Sequence, residues 1–134
     1  MQLVLATHNQ GKVAELRAIL APLGLDLVGY DGPEPIEDGV SFLENALIKA
    51  RSAHQHTRLP AIADDSGLQV EILGGSPGIF TAIWSGTKDN VANRRLLLAQ
   101  LKDIAAEHRA ASFVCTIALV TDEVEVSFTG TWLG

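Results

Sequence analysis

Apolar residues recur along this chain at two spacings, every second residue and every third or fourth, and the two spacings alternate from the N-terminus onward. Leu3 to Ala6 is a short apolar run that predicts a buried strand. Gly11 to Leu20 places Val13, Leu16 and Leu20 on one helical face, and Leu25 to Val28 predicts a second strand, so the chain opens as a β-α-β unit. Pro33, Pro35 and Gly39 mark a loop, after which a helix starting at Ser41 carries Phe42, Ala46, Leu47, Ala50 and Ala53 as an apolar stripe. Ala61 to Ala63 and Leu68 to Ile72 predict two strands flanking a polar turn, Asp64-Asp65-Ser66-Gly67. Gly74, Gly75, Pro77, Gly78 and Gly86 make a glycine-rich loop region, followed by a helix from Asp89 toward Glu107 with Leu97, Leu98, Leu101 and Ile104 buried. Ala111 to Val120 is apolar on both faces and predicts a central strand. Val124, Val126 and Phe128 alternate with Glu125, Ser127 and Thr129, the pattern of a half-exposed partner strand. Strands alternating with helices in this order predict an α/β fold.

Composition narrows the picture further. At 134 residues, 47% hydrophobic and 19% charged, the chain has the size and make-up of one globular domain spanning residues 1–134. A formal net charge of -6 argues against a surface that tracks a nucleic-acid backbone. Neither the N-terminus nor any apolar run has the form of a leader or a membrane span, so a soluble, cytoplasmic protein is expected, with no nucleic-acid and no membrane partner. Cys115 is the only cysteine, which excludes an intramolecular disulfide and favours a reduced setting; it reads as a buried strand residue rather than a nucleophile.

Two segments carry candidate chemistry. Asp64 and Asp65 are hard oxygen donors beside each other at the end of an apolar run, suited to a divalent cation or to activating water, although Asp, Ser and Gly also favour turns for local reasons. Thr7-His8-Asn9-Gln10-Gly11-Lys12 joins the first strand to the first helix, where unpaired N–H groups and the helix dipole attract an anion; ordinary capping by Asn9 with Lys12 in solvent explains the same residues. Ser41 and Glu44 fit a capping box in which Glu44 reaches back to the N–H of Ser41. Glu37 and Asp38 lack any such helical duty and lie on a loop able to deliver a metal ligand. The four histidines, His8, His54, His56 and His108, show no metal-ligand spacing.

Taken in order, these segments resemble the inosine triphosphate pyrophosphatase (Ham1-like) family, which removes non-standard purine nucleotides. The resemblance rests on Leu5-Ala6-Thr7-His8-Asn9-Gln10-Gly11-Lys12, on Gly39-Val40-Ser41-Phe42-Leu43-Glu44-Asn45-Ala46 with Lys49 and Ala50, and on Ala61-Ile62-Ala63-Asp64-Asp65-Ser66-Gly67-Leu68. Gly74-Gly75-Ser76-Pro77-Gly78, Ser85-Gly86, Asn93 and Arg109 to Phe113 continue it in register.

It implies a mixed β-sheet flanked by helices, two-lobed with a central cleft, and Mg2+-dependent hydrolysis of ITP, dITP or XTP to monophosphate and pyrophosphate. Carried over by motif, Asp65 and Lys12 are catalytic, with Asp65 the proton acceptor. Thr7, His8, Asn9, Gln10, Gly11, Lys12 and Ser66 bind substrate, Glu37 and Asp65 hold the metal, and Asp64, Glu44 and Lys49 support them. A homodimer is a further implication. Ile83 stands where the family carries arginine. The resemblance stops short of the family's C-terminal base-reading motifs, so a C-terminally shortened enzyme of reduced base selectivity is expected. The alternative from a different class is a catalytically silent relative that binds nucleotide or a partner.

Overall fold

The computed structural model describes every residue from Met1 to Gly134. Strand β1 (Gln2–Leu5), helix α1 (Gln10–Leu20) and strand β2 (Asp26–Gly29) form the expected β-α-β unit, with β1 and β2 parallel and Gln2 opposite Asp26. Helix α2 (Phe42–Thr57) leads to β3 (Ala61–Val70), which pairs in parallel with β1 so that Val4 faces Ala61. A short strand β4 (Ser76–Pro77), helix α3 (Asn90–Gln100) and the hairpin of β5 (Ala111–Val120) and β6 (Glu125–Leu133) complete the chain. The sheet order is β2-β1-β3-β5-β6, with β4 on β3, which makes β5 an internal strand as its two apolar faces predict. This is the mixed sheet flanked by helices that the residue pattern and the resemblance imply.

The chain forms two compact units, Met1–Asp65 with Thr116–Phe128, and Ser66–Cys115 with Thr129–Gly134. In the first, Val13, Leu16 and Leu20 of α1 lie against Leu3, Leu5 and Leu27 on one face of the sheet. The opposite face meets α2 through Ala46, Ala50 and Ala53, whose small side chains let the helix sit directly on Val4, Ala61 and Ala63. Leu5 and Leu27 are fully buried, each stabilising the fold by about 1.5–3 kcal/mol. His54 of α2 hydrogen-bonds the Leu59 carbonyl at 2.7 Å and Asp122 at 2.9 Å, a fixing role within the fold.

In the second unit, α3 begins where predicted, with Asp89 as its cap, the side chain accepting from the Val91 N–H. It ends at Gln100, well before Glu107, because the carbonyls of Leu101 and Ile104 turn aside to the Arg109 guanidinium. Leu101 is buried as expected, but Leu98 is exposed, since Asn93, Leu97 and Leu101 at spacing four define the inner face and Leu98 lies a further 100° round. Strand β6 also departs from expectation. It runs to Leu133 rather than ending near Thr129, and all nine of its residues are exposed, because it is the edge strand and contributes no side chain to the core clusters under α1 and α2.

Candidate active site

The predicted turn at Asp64-Asp65-Ser66-Gly67 does not exist: β3 runs unbroken from Ala61 to Val70 through both acids. Turn propensity there is overridden by tertiary pairing, since the neighbouring Pro60 and Ile62 carbonyls accept the Val4 and Ala6 N–H groups on and just after β1. The consequence is geometric. Successive strand residues point to opposite faces, so Asp64 follows Ile62 toward α1 and Asp65 follows Ala63 toward α2.

On the α1 side, Lys12 Nζ donates to both oxygens of Asp64, at 3.1 and 3.4 Å. The strand-to-helix loop that presents Lys12 is tightly wound. Asn9 caps α1 by accepting the Lys12 N–H at 3.2 Å, and Thr7 Oγ1 accepts the Asn9 N–H at 3.1 Å. The capping role anticipated for Asn9 is therefore present, while Lys12 reaches across to β3 instead of standing in solvent. His8 is turned away from Lys12 toward the proline loop, with Nε2 donating to the Gly32 carbonyl at 2.9 Å and Nδ1 3.1 Å from Glu34. Gln10 and Gly11 form the first turn of α1.

On the α2 side, Lys49 Nζ pairs with Glu37 at 3.2 Å and also donates to the backbone carbonyl of Asp64. Asp64 thus bears Lys12 on its carboxylate and Lys49 on its backbone carbonyl. Burial pushes the Asp65 carboxyl above its ordinary range, the charge of Lys49 pulls it down, Glu37 pushes it up, a hydrogen bond from Asn45 pulls it down and Asp64 pushes it up. Asp65 Oδ2 is buried and has no hydrogen-bond partner. The capping box at the start of α2 forms with a shift: Ser41 Oγ accepts the Glu44 N–H at 3.1 Å, but the Glu44 carboxylate takes the N–H of Val40 rather than that of Ser41. Ser66 follows Asp65 on the same strand and is half-buried.

Lys12, Asp64, Lys49 and Glu37 are therefore joined by direct contacts, drawn from a helix start, a strand, a second helix and a loop, and the Asp65 carboxyl feels the charges of Lys49, Glu37 and Asp64. A buried carboxylate oxygen without a donor, next to a second carboxylate, fits a hard divalent cation, which takes one or two carboxylates and completes its shell with water and phosphate oxygens. No group of three or more His, Cys, Asp or Glu side chains gathers into an all-protein cage. Lys49 had only a supporting place in the sequence reading and Asn45 none of its own. The signal for both lies in helical spacing, since Asn45 and Lys49 are four apart and share one face of α2.

Comparisons with known proteins bear on the family and the fold. A dITP/XTP pyrophosphatase of Leifsonia xyli is 54% identical over 138 residues, covering 100% of this chain and 69% of its own length. One of Streptomyces avermitilis is 58% identical over 125 residues, covering 88% of this chain and 62% of its own length. The chain thus spans 62–69% of these relatives. Among solved structures, a nucleoside-triphosphatase / dITP/XTP pyrophosphatase from Mycobacterium abscessus superposes with a TM-score of 0.87 at 47% identity, covering 100% of this chain and 73% of its own. A HAM1 protein from Coxiella burnetii gives 0.91 at 35% identity, covering 100% and 72%. With the family's sequence pattern matched over residues 3–134, this chain belongs to the Ham1 family.

Proposed function

We propose that the chain hydrolyses non-standard purine nucleoside triphosphates (ITP, dITP, XTP) to the monophosphate and pyrophosphate, with Mg2+ held by Glu37 and Asp65. The observation that carries this reading is the buried, unpartnered Asp65 Oδ2 within a network that also contains two lysines. Bound Mg2+ would supply positive charge to the phosphoryl oxygens and lower the pKa of water. The chain's own residues do the rest. Lys12 exchanges its Asp64 partner for a phosphate oxygen, at the N-terminus of α1, where N–H groups and dipole favour the same anion. Lys49 adds a second cation over the same charge. Asp65 takes the proton from a water that attacks the α-phosphorus, the bond to the bridging oxygen breaks, and pyrophosphate leaves. A carboxyl whose proton affinity is raised by burial is the better base for that step.

Names and identities of the relatives support the substrate class, and the same relatives favour an enzyme over a silent binding protein. Thr7, Asn9 and Ser66 belong to the same reading as substrate contacts, together with the backbone of His8, Gln10 and Gly11. No helix is long and apolar enough to cross a membrane. A cytoplasmic setting is the reading that a lone cysteine supports, and the resemblance extends to a homodimer, which sedimentation of the purified chain measures. The decisive experiment incubates the chain with ITP and Mg2+ and identifies the released anion. Pyrophosphate is expected; orthophosphate, or unchanged rates in both Asp65→Asn and Lys12→Ala, would overturn the assignment.

A further inference from the structure

We infer that Asn45 is a positioning residue for the cation site, its side-chain oxygen fixing the end of the loop that brings Glu37 to the Asp65 carboxylate. The inference rests on the proposed function and deepens it by naming what aligns the two ligands. Asn45 is 4% exposed, in the first turn and a half of α2. A buried primary amide is costly unless both of its ends are used. Its Oδ1 accepts the Gly39 N–H at 2.8 Å, two residues after Glu37. That bond settles the amide's orientation, because only the oxygen can accept, so the NH2 group faces the other way.

The Asn45 amide also favours the ionised Asp65 carboxyl, pulling its pKa down against the larger effect of burial. The Asp65 Oδ2 is buried and without a partner, open to the ion. Gly39 makes the approach possible. A Cβ there would lie 2.6 Å from Asn45 Oδ1 and 2.7 Å from Glu44 Cβ, so the loop closes on α2 only with glycine. One buried side chain of α2 therefore holds the loop that carries Glu37. Asn93, the other buried asparagine, differs in kind: it bridges the Ser85 N–H and the Ala82 carbonyl, backbone to backbone.

Two measurements test this. In 1H–15N spectra of the unsubstituted chain, added Mg2+ is expected to shift the backbone amides of Glu37 and Asp65 together with the side-chain NH2 pair of Asn45, and to leave the NH2 pair of Asn93 in place. In Asn45→Ala, Mn2+ affinity read by electron paramagnetic resonance should fall about 10-fold or more, the range for partners that orient metal ligands. The Mg2+ concentration for half-maximal rate should rise in proportion while kcat at saturating Mg2+ stays near the unsubstituted value. A purely structural role would not divide the effect in that way. If the variant does not fold, the spectra of the unsubstituted chain decide. Shifts at Glu37 and Asp65 with none at the Asn45 NH2 pair, or Mn2+ binding by Asn45→Ala as tight as before, would overturn the inference and leave the proposed function standing. No Mg2+-dependent shift at Glu37 or Asp65 would overturn both.

Discussion

The N-terminal acid and lysine cluster and the segment from Gly74 to Arg109 use polar side chains in opposite ways. In the latter, Asn93, Arg109, Thr81 and Asp89 are spent on backbone groups: the Ser85 N–H, the Leu101 carbonyl, the Leu68 N–H and the Val91 N–H. Each bond ties a side chain to a backbone group, and the polar group ends satisfied. In the cluster, Lys12 and Lys49 sit on carboxylates and a carbonyl, and Asp65 keeps a buried oxygen with no donor at all. Satisfied polar groups stabilise a fold, whereas an unsatisfied buried one is a cost that only a ligand can remove.

Substitutions should separate the two regions. The largest effect is expected at Asp65: Asp65→Asn removes the proton acceptor and a metal ligand, and pyrophosphate release from ITP should fall ~10²-fold or more. A rate near that of the unsubstituted chain would erase the distinction drawn here. Lys12→Ala comes next. Losing one charge-assisted contact to phosphate should lower kcat/KM for ITP by about 10- to 100-fold, corresponding to roughly 1.5–3 kcal/mol. Arg109→Ala, by contrast, should leave catalysis alone and lower the melting temperature, because it uncaps α3.

A subtler effect concerns stability against pH. Burial raises the Asp65 carboxyl in the folded protein above its unfolded value. The folded state therefore holds that proton more tightly. Its favourable contribution is complete below the unfolded value and is lost as pH rises through the folded one, so at neutral pH the ionised group is a burden on the metal-free chain. Asp65→Asn should accordingly melt higher than its parent in EDTA at neutral pH, and the gap should close as pH falls toward the ordinary aspartate range. A variant that melts lower at neutral pH would place the Lys49 attraction above burial.

The smallest effect is expected at the exposed pair of Arg51 and Glu125, which meet through two contacts of 2.7 Å. Each partner's charge favours the other's, raising the Arg51 pKa and lowering that of Glu125, yet solvent reaches both. A double-mutant cycle should give less than about 1 kcal/mol, shrinking further in high salt.

Much of this was legible before any coordinates. Val13, Leu16 and Leu20 announce the face of α1, Asn9 and Ser41 announce their caps, and Asp89 marks the start of α3, because those signals are local. The continuous β3 was not legible. Asp-Asp-Ser-Gly has turn chemistry, and what defeats it is pairing with β1 and packing between two helices contributed by distant sequence. The early end of α3 was hidden for the same reason, since the Arg109 guanidinium that gathers its last carbonyls comes from beyond the periodic segment. Within the site, the residue types were readable, but the bond from Lys12 to Asp64 spans 52 positions and nothing local encodes it.

The pleat of β3 has an evolutionary consequence. Asp64 and Asp65 look alike as letters, yet they occupy opposite sides of a sheet and answer to different helices. Substitution can drift one side at a time, whereas deletion of a single residue between Ala61 and Ala63 would exchange the two sides at once. Asp64 would then press its charge into the small-residue seam against α2, and Asp65 would face α1. Lineages carrying this strand should therefore accumulate point changes around the acids while its length stays fixed.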